Sequence, residues 1–122
     1  MGDFSGRRAL LVEDEGAIAL LIEDMLAEIG FDVVASVARL GEACKVASME
    51  ALDFALLDVN LNGEFVFPVA RILSQRRIPF LFSTGYGGAG IPEEFRHCSA
   101  IAKPFTILQL QEKIQSVIVL EL

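Results

Sequence analysis

The sequence has little of what extracellular, zinc-binding and membrane-spanning proteins need. It contains one histidine and two cysteines, Cys44 and Cys98, which are too few and too far apart for a zinc site or a disulfide framework. Both are expected to be ordinary thiols. The longest apolar run covers residues 17–22, far below the roughly 18 residues of a membrane helix. No association with a membrane is expected.

Positive charge is also scarce. Ten Lys and Arg face seventeen Asp and Glu, for a formal charge of −7 and a pI near 4.6. Nucleic-acid-binding surfaces are basic, so the composition argues against direct binding of DNA or RNA. The first residues lack the apolar segment of a signal peptide, and a cytoplasmic protein is expected.

What the sequence does have is a regular alternation of short apolar runs and amphipathic segments. With 122 residues, 53% of them hydrophobic, it fits one globular domain. Strands are predicted at residues 8–12, 31–37, 54–57, 78–82 and 99–102. Because helical segments alternate with these strands, the pattern predicts a doubly wound α/β fold with a parallel sheet.

The helical segments carry recognisable boundary signals. Gly30 is predicted to stop a first helix, Pro68 to lie in the first turn of a third, and Thr106 with Gln109 to form a capping box for the last. The apolar face of the first helix consists of Ile18, Leu21, Ile22, Met25, Leu26 and Ile29. The segment 58–63 has turn chemistry and is expected to be a loop. Between residues 85 and 97 we expect a short helix at most, in a mobile region.

Polar residues follow the predicted strands at their carboxyl ends, where a doubly wound sheet binds its ligands. They are Glu13, Asp14 and Glu15 after the first strand, Asp58 after the third, Ser83 and Thr84 after the fourth, and Lys103 after the fifth. Glu13, Asp14 and Asp58 would repel one another, which should raise the pKa of some of them. Carboxylate oxygens favour Mg²⁺, so the cluster predicts a magnesium site. Glu15 is more typical of the first turn of a helix than of a metal ligand.

With a cation present, Asp58 is placed to attack phosphorus. The metal and Lys103 would neutralise phosphoryl oxygens, and Thr84 could donate a hydrogen bond to them. The expected product is an aspartyl phosphate.

Four short motifs now stand in order along the chain: Leu11-Val12-Glu13-Asp14, Leu56-Leu57-Asp58-Val59-Asn60, Ser83-Thr84-Gly85 and Lys103-Pro104-Phe105. With them the whole chain resembles the receiver domain of two-component response regulators. The resemblance implies a flavodoxin-like fold with strand order 2-1-3-4-5. From the length of 122 residues we expect a single receiver domain spanning residues 1–122, with no output domain. It also implies a signalling switch rather than a turnover enzyme.

The same resemblance assigns roles to individual residues. Asp58 would take a phosphoryl group from a sensor histidine kinase and lose it by slow hydrolysis. Glu13, Asp14, Asp58 and the backbone carbonyl of Asn60 would hold Mg²⁺. Thr84 and Lys103 would contact the phosphoryl group, and the peptide bond before Pro104 is expected to be cis. A separate, unknown downstream protein would sense the change.

Two positions bear on the switch. Receivers usually carry an aromatic residue three positions before the lysine, and this chain has Ala100 there. The segment Phe82-Ser83-Thr84-Gly85-Tyr86 resembles receivers associated with HWE-type histidine kinases. We therefore expect Tyr86 to take over part of the switch. Asn60 and Tyr86 also match positions that tune self-hydrolysis.

Other functions fit the sequence less well. A phosphate sink for a kinase and a phosphorylation-independent adaptor both remain alternatives. Residues 85–90 satisfy the GxGxxG pattern of dinucleotide-binding proteins, but they follow the fourth strand rather than the first. Phosphatases of the haloacid dehalogenase type need a second Asp where Asn60 stands. His97 is expected to be a surface residue and a poor phosphodonor.

Overall fold

The apolar runs of the sequence form the strands of a central sheet. The structure is a computed structural model that describes residues 4–85 and 90–119. The strands are β1 (Arg8–Val12), β2 (Asp32–Val37), β3 (Phe54–Asp58), β4 (Asn60–Leu61), β5 (Glu64–Phe65), β6 (Phe80–Thr84) and β7 (Ala100–Ala102). Five of them pair in the order β2-β1-β3-β6-β7, and every pair is parallel. This confirms the predicted doubly wound, flavodoxin-like sheet.

Four α-helices cover the two faces of the sheet within the described residues. They are α1 (Gly16–Ile29), α2 (Leu40–Met49), α3 (Phe67–Gln75) and α4 (Ile107–Val119). Between β6 and β7 the described residues hold only one turn of 3-10 helix, Glu93–Phe95, in agreement with the short helix expected there. The mobility expected for that region falls partly on residues 86–89, which lie outside the described residues.

The sheet separates two hydrophobic clusters. Leu10, Val12 and Leu57 point to the side of α2 and α3, and Leu11 and Leu56 point to the side of α1 and α4. Because successive side chains of a strand point to opposite faces, a strand covered on both sides is apolar at every position. That is why β1 and β3 appear in the sequence as uninterrupted apolar runs.

The boundary signals read from the sequence are present. Gly30 ends α1 with a φ of 124° and donates hydrogen bonds to carbonyls of the last turn. The backbone N–H of Thr106 donates to the Gln109 side chain at 2.8 Å, and the N–H of Gln109 donates to the Thr106 hydroxyl at 3.1 Å. This confirms the capping box. Pro68 lies in the first turn of α3, and the peptide bond before Pro104 is cis, both as expected.

Two details of the prediction were wrong. The fourth strand of the sheet runs from Phe80 to Thr84, two residues later than expected. The N–H of Ile78 donates to the Leu73 carbonyl instead of to the sheet, and Pro79 has no N–H. Residues 58–63 are not simply a loop, since β4 and β5 form a small antiparallel hairpin there. Leu21 lies with Ile18, Ile22 and Met25 on the apolar face of α1, as expected, but it is 56% exposed.

Within the described part of the chain, no helix combines the length and the apolar character needed to cross a membrane.

Candidate functional site

The carboxyl ends of the parallel strands bring the predicted residues together. Glu13 and Asp14 directly follow β1, Asp58 and Thr84 are the last residues of β3 and β6, and Lys103 directly follows β7. The order of the sheet places β3 between β1 and β6, so Asp58 is central. The Lys103 N–H donates to the Thr84 carbonyl at 2.9 Å, which fixes the lysine beside β6.

Three carboxylates form one acidic cluster. Oxygen atoms of Glu13, Asp14 and Asp58 all lie within 4.8 Å of one another. Glu13 is 3% exposed and Asp58 8% exposed, so water screens their charges poorly. Clustered carboxylate oxygens of this kind suit a hard divalent cation such as Mg²⁺.

Lys103 is the cation that the chain itself supplies to the cluster. Its Nζ lies 2.8 Å from Glu13 Oε1 and 3.3 Å from Asp58 Oδ2. The other Glu13 oxygen accepts a hydrogen bond from the Glu15 N–H at 3.2 Å. Both Glu13 oxygens therefore have partners within the chain, whereas Asp14 and Asp58 line an open cleft. Glu15 is the residue before α1 rather than a first-turn acid, and its side chain makes no capping hydrogen bond.

The environment of Asp58 shifts its protonation. Burial and the negative charge of Glu13 raise the pKa of Asp58 to about 7, although the charge of Lys103 acts in the opposite direction. This agrees with the repulsion expected from the sequence. Burial works against the charge of Lys103, but its hydrogen bond to Glu13 and the charge of Asp58 outweigh that effect and raise the pKa of Lys103. The site thus favours added positive charge.

A cleft of about 520 Å³ opens above the cluster. Asp14, Asp58, Thr84 and Lys103 line it, together with Asn60 and Phe65 from the hairpin. The Gly63 N–H donates to Asn60 Oδ1 at 2.7 Å, so the Asn60 side chain is used to close the hairpin turn. The role that the resemblance implies for Asn60, as a metal ligand through its backbone carbonyl, does not use this side chain.

Phe65 is a cleft residue that sequence reasoning missed. It is 51% exposed, although it is a large aromatic residue. The available signal was the position of Phe65, an aromatic residue that follows the turn residues Asn62 and Gly63 and then Glu64. Two-residue strands are too short to show the alternating pattern that identifies a strand, so the hairpin and the position of Phe65 escaped the prediction.

Of the two positions expected to bear on the switch, the structure describes Ala100. Ala100 is partly buried and is in register with Phe82, which belongs to a cluster of aromatic rings formed by Phe67, Phe80, Phe82 and Phe95. Ser83 Oγ is buried and has no hydrogen-bond partner among the described residues.

Tyr86 lies outside the described residues, as does most of the glycine-rich segment. His97 is exposed and lies near Cys98, with 3.7 Å between its Nε2 and the Cys98 sulfur.

Comparisons with known proteins agree with this fold. The solution structure of SdrG from Sphingomonas melonis Fr1 superimposes with a TM-score of 0.82 and 34% sequence identity, covering 96% of this chain and 98% of that one. The receiver domain of the sensor histidine kinase PA1611 from Pseudomonas aeruginosa PAO1 superimposes with a TM-score of 0.77 and 26% identity, covering 94% of this chain and 99% of that one. That structure has a magnesium ion coordinated in its active site cleft.

A curated relative is the transcriptional regulatory protein PdtaR of Mycobacterium tuberculosis, 29% identical over 113 residues and 89% of this chain. The chain spans about half the length of the curated relatives it matches, 55% in each case. A scan against models of protein families gives no match. With this sheet order, this cleft and these relatives, the chain belongs to the receiver domains of response regulators.

Proposed function

We propose that the domain accepts a phosphoryl group on Asp58 from a sensor histidine kinase, in a magnesium-dependent reaction in the cytoplasm. The observation that carries the proposal is the position of Lys103 Nζ, 2.8 Å from Glu13 and 3.3 Å from Asp58 inside a buried acidic cluster. This arrangement supplies a nucleophilic carboxylate, a fixed positive charge and oxygen ligands for a metal in one cleft.

The charges of the site fit one divalent cation. Three carboxylates and one lysine leave a formal charge of −2 within the cluster. Glu13, Asp14, Asp58 and the backbone carbonyl of Asn60 would hold Mg²⁺. When bound, the ion would neutralise phosphoryl oxygens and keep Asp58 ionised. The magnesium in the cleft of the PA1611 receiver domain supports this assignment.

In the proposed transfer, Asp58, Lys103 and Thr84 each have a separate role. An oxygen of Asp58 attacks phosphorus and the bond from phosphorus to the histidine nitrogen breaks. Lys103 pairs with a phosphoryl oxygen, and Thr84, which is 4% exposed at the end of β6, donates its hydroxyl to another. Slow attack by water on the aspartyl phosphate returns the domain to its original state. Asn60 and Tyr86 are the positions proposed to tune that hydrolysis.

The first experiment is the intact mass after incubation with Mg²⁺ and acetyl phosphate. We expect a gain of one phosphoryl group that is labile to hydroxylamine, requires Mg²⁺ and is absent from the Asp58→Asn variant, which keeps the shape of the side chain. A gain of the same size in the variant would place the phosphoryl group elsewhere. If neither this donor nor the cognate kinase produced a gain, the adaptor function would be favoured.

We further propose that an HWE-type kinase is the phosphodonor. A separate protein would then bind the phosphorylated surface. A pull-down with and without beryllofluoride, a phosphoryl mimic, separates this from a phosphate sink. We expect a protein that is captured only with the mimic and that is lost with the Asp58→Asn bait. Capture that is independent of the mimic would indicate a constitutive adaptor, and the absence of any captured protein would favour the sink.

A further inference from the structure

An aromatic ring stands at the cleft of this domain without a role in the mechanism above. Phe65 lines the cleft together with Asp58 and Thr84, and half of it is exposed. An exposed large apolar residue at a polar site loses the stabilisation that burial would give it. Because it lines the cleft, Phe65 can contact a molecule that enters there.

The backbone of Phe65 is fixed by the hairpin, and its ring is fixed by stacking. The hairpin puts Phe65 in register with Asn60, the residue whose carbonyl is expected at the metal. Behind it, the ring of Phe67 stacks at a centroid distance of 5.8 Å and an interplanar angle of 16°. Phe67 is itself 8% exposed and packs against Phe82 and Phe95. The stacking on Phe67 thus orients the ring of Phe65.

We propose that Phe65 contacts the leaving group of the phosphodonor and favours an imidazole ring over a non-aromatic donor. The inference rests on the proposed function and extends it from the phosphoryl group to the group that carries it. Phosphoryl transfer requires the leaving group to lie on the far side of phosphorus from Asp58, that is, toward the opening of the cleft. Phe65 lines the same cleft and is half exposed, so its ring can meet a group on that side.

The reaction balances without a further reactant. The bond from Asp58 oxygen to phosphorus forms as the phosphorus–nitrogen bond breaks, and the electron pair of the broken bond stays on the ring nitrogen. A phosphoimidazole protonated on its other ring nitrogen leaves as neutral imidazole. Before transfer that ring is positively charged, and the face of an aromatic side chain attracts such a ring by stacking and by its quadrupole.

The test compares two small donors, phosphoimidazole and acetyl phosphate, at equal Mg²⁺, by the intact mass of samples quenched at successive times. For Phe65→Ala we expect the rate with phosphoimidazole to fall about three- to tenfold and the rate with acetyl phosphate to stay within twofold. Phe65→Tyr should restore the ratio of the two rates, because it restores the ring. Phe65→Leu should not, because it restores only apolar bulk.

Met49→Ala is the matched control, since Met49 is 76% exposed at the far end of α2 and does not line the cleft. It should leave both rates unchanged. Equal loss with both donors in Phe65→Ala would assign Phe65 a structural role in the cleft and overturn the inference. No change with either donor would also overturn it and would leave Phe65 as a contact for another protein. If the unaltered domain accepted phosphate from neither donor and not from the cognate kinase either, the proposed function would fail as well.

Discussion

The protonation of Asp58 connects a single carboxyl group to the stability of the whole domain. Its pKa is about 7 in the folded protein, compared with an ordinary value of 3.8. The folded state therefore holds a proton that the unfolded chain has already released at intermediate pH. This contribution to stability is fully present below pH 3.8 and is lost as the pH rises through about 7.

We predict that, without divalent cations, the unfolding free energy of the unaltered domain falls relative to that of Asp58→Asn as the pH rises. Relative to the variant, the unaltered domain should become less stable between pH 5 and pH 8. Urea unfolding at a series of pH values, with EDTA present, measures this difference.

Adding Mg²⁺ should remove the loss at high pH, because a bound cation favours the ionised form of Asp58. A difference that stays flat between pH 5 and pH 8 in EDTA would contradict the raised pKa of Asp58.

At the scale of elements, the connection from α1 to β2 depends on one glycine. Gly30 has a φ of 124°, which side-chain-bearing residues rarely adopt. A β-carbon added there would lie 3.2 Å from the Ser5 backbone nitrogen and 3.3 Å from the Ser5 Cα. Both the dihedral angle and the close approach of the N-terminal backbone therefore favour glycine.

We predict that Gly30→Ala lowers the unfolding free energy by at least about 1 kcal/mol, from the dihedral strain alone. Gly41→Ala is the matched control, because Gly41 lies in α2 and an added β-carbon meets no atom within 4 Å. Its unfolding free energy should stay the same or rise by up to about 1 kcal/mol. Urea denaturation measures both, and equal effects of the two substitutions would contradict this account of Gly30.

Elements differed in how well the sequence predicted them. Regular helices and buried strands were found because their apolar residues repeat over several turns or run without interruption, as in α4 and β3. The hairpin of β4 and β5 was missed because its pairing is decided by contacts such as the Gly63 N–H to Asn60 Oδ1. The exposure of Leu21 shows that helical spacing places a residue on a face of the helix but does not decide how deeply that residue is buried.

At the scale of the whole molecule, the positions of Asp58, Thr84 and Lys103 followed from one rule. Parallel strands end at the same edge of the sheet, so residues that follow different strands meet there. The rule places residues at an edge but does not choose their contacts. The contacts depend on side-chain packing between distant segments. Examples are the close ion pair of Lys103 with Glu13, the hydrogen bonds to both Glu13 oxygens, and the position of Phe65 in the cleft.

The ion pair between Glu13 and Lys103 joins residues 90 positions apart in the chain. A ribosome makes the three acids of the cluster first and the lysine last. During translation, a chain that has not yet reached Lys103 carries its negative cluster with no positive side chain to join it. Contacts over such distances form late and slowly in folding. Under the proposed function, a newly made copy therefore becomes able to receive a signal only when its last strand has joined the sheet.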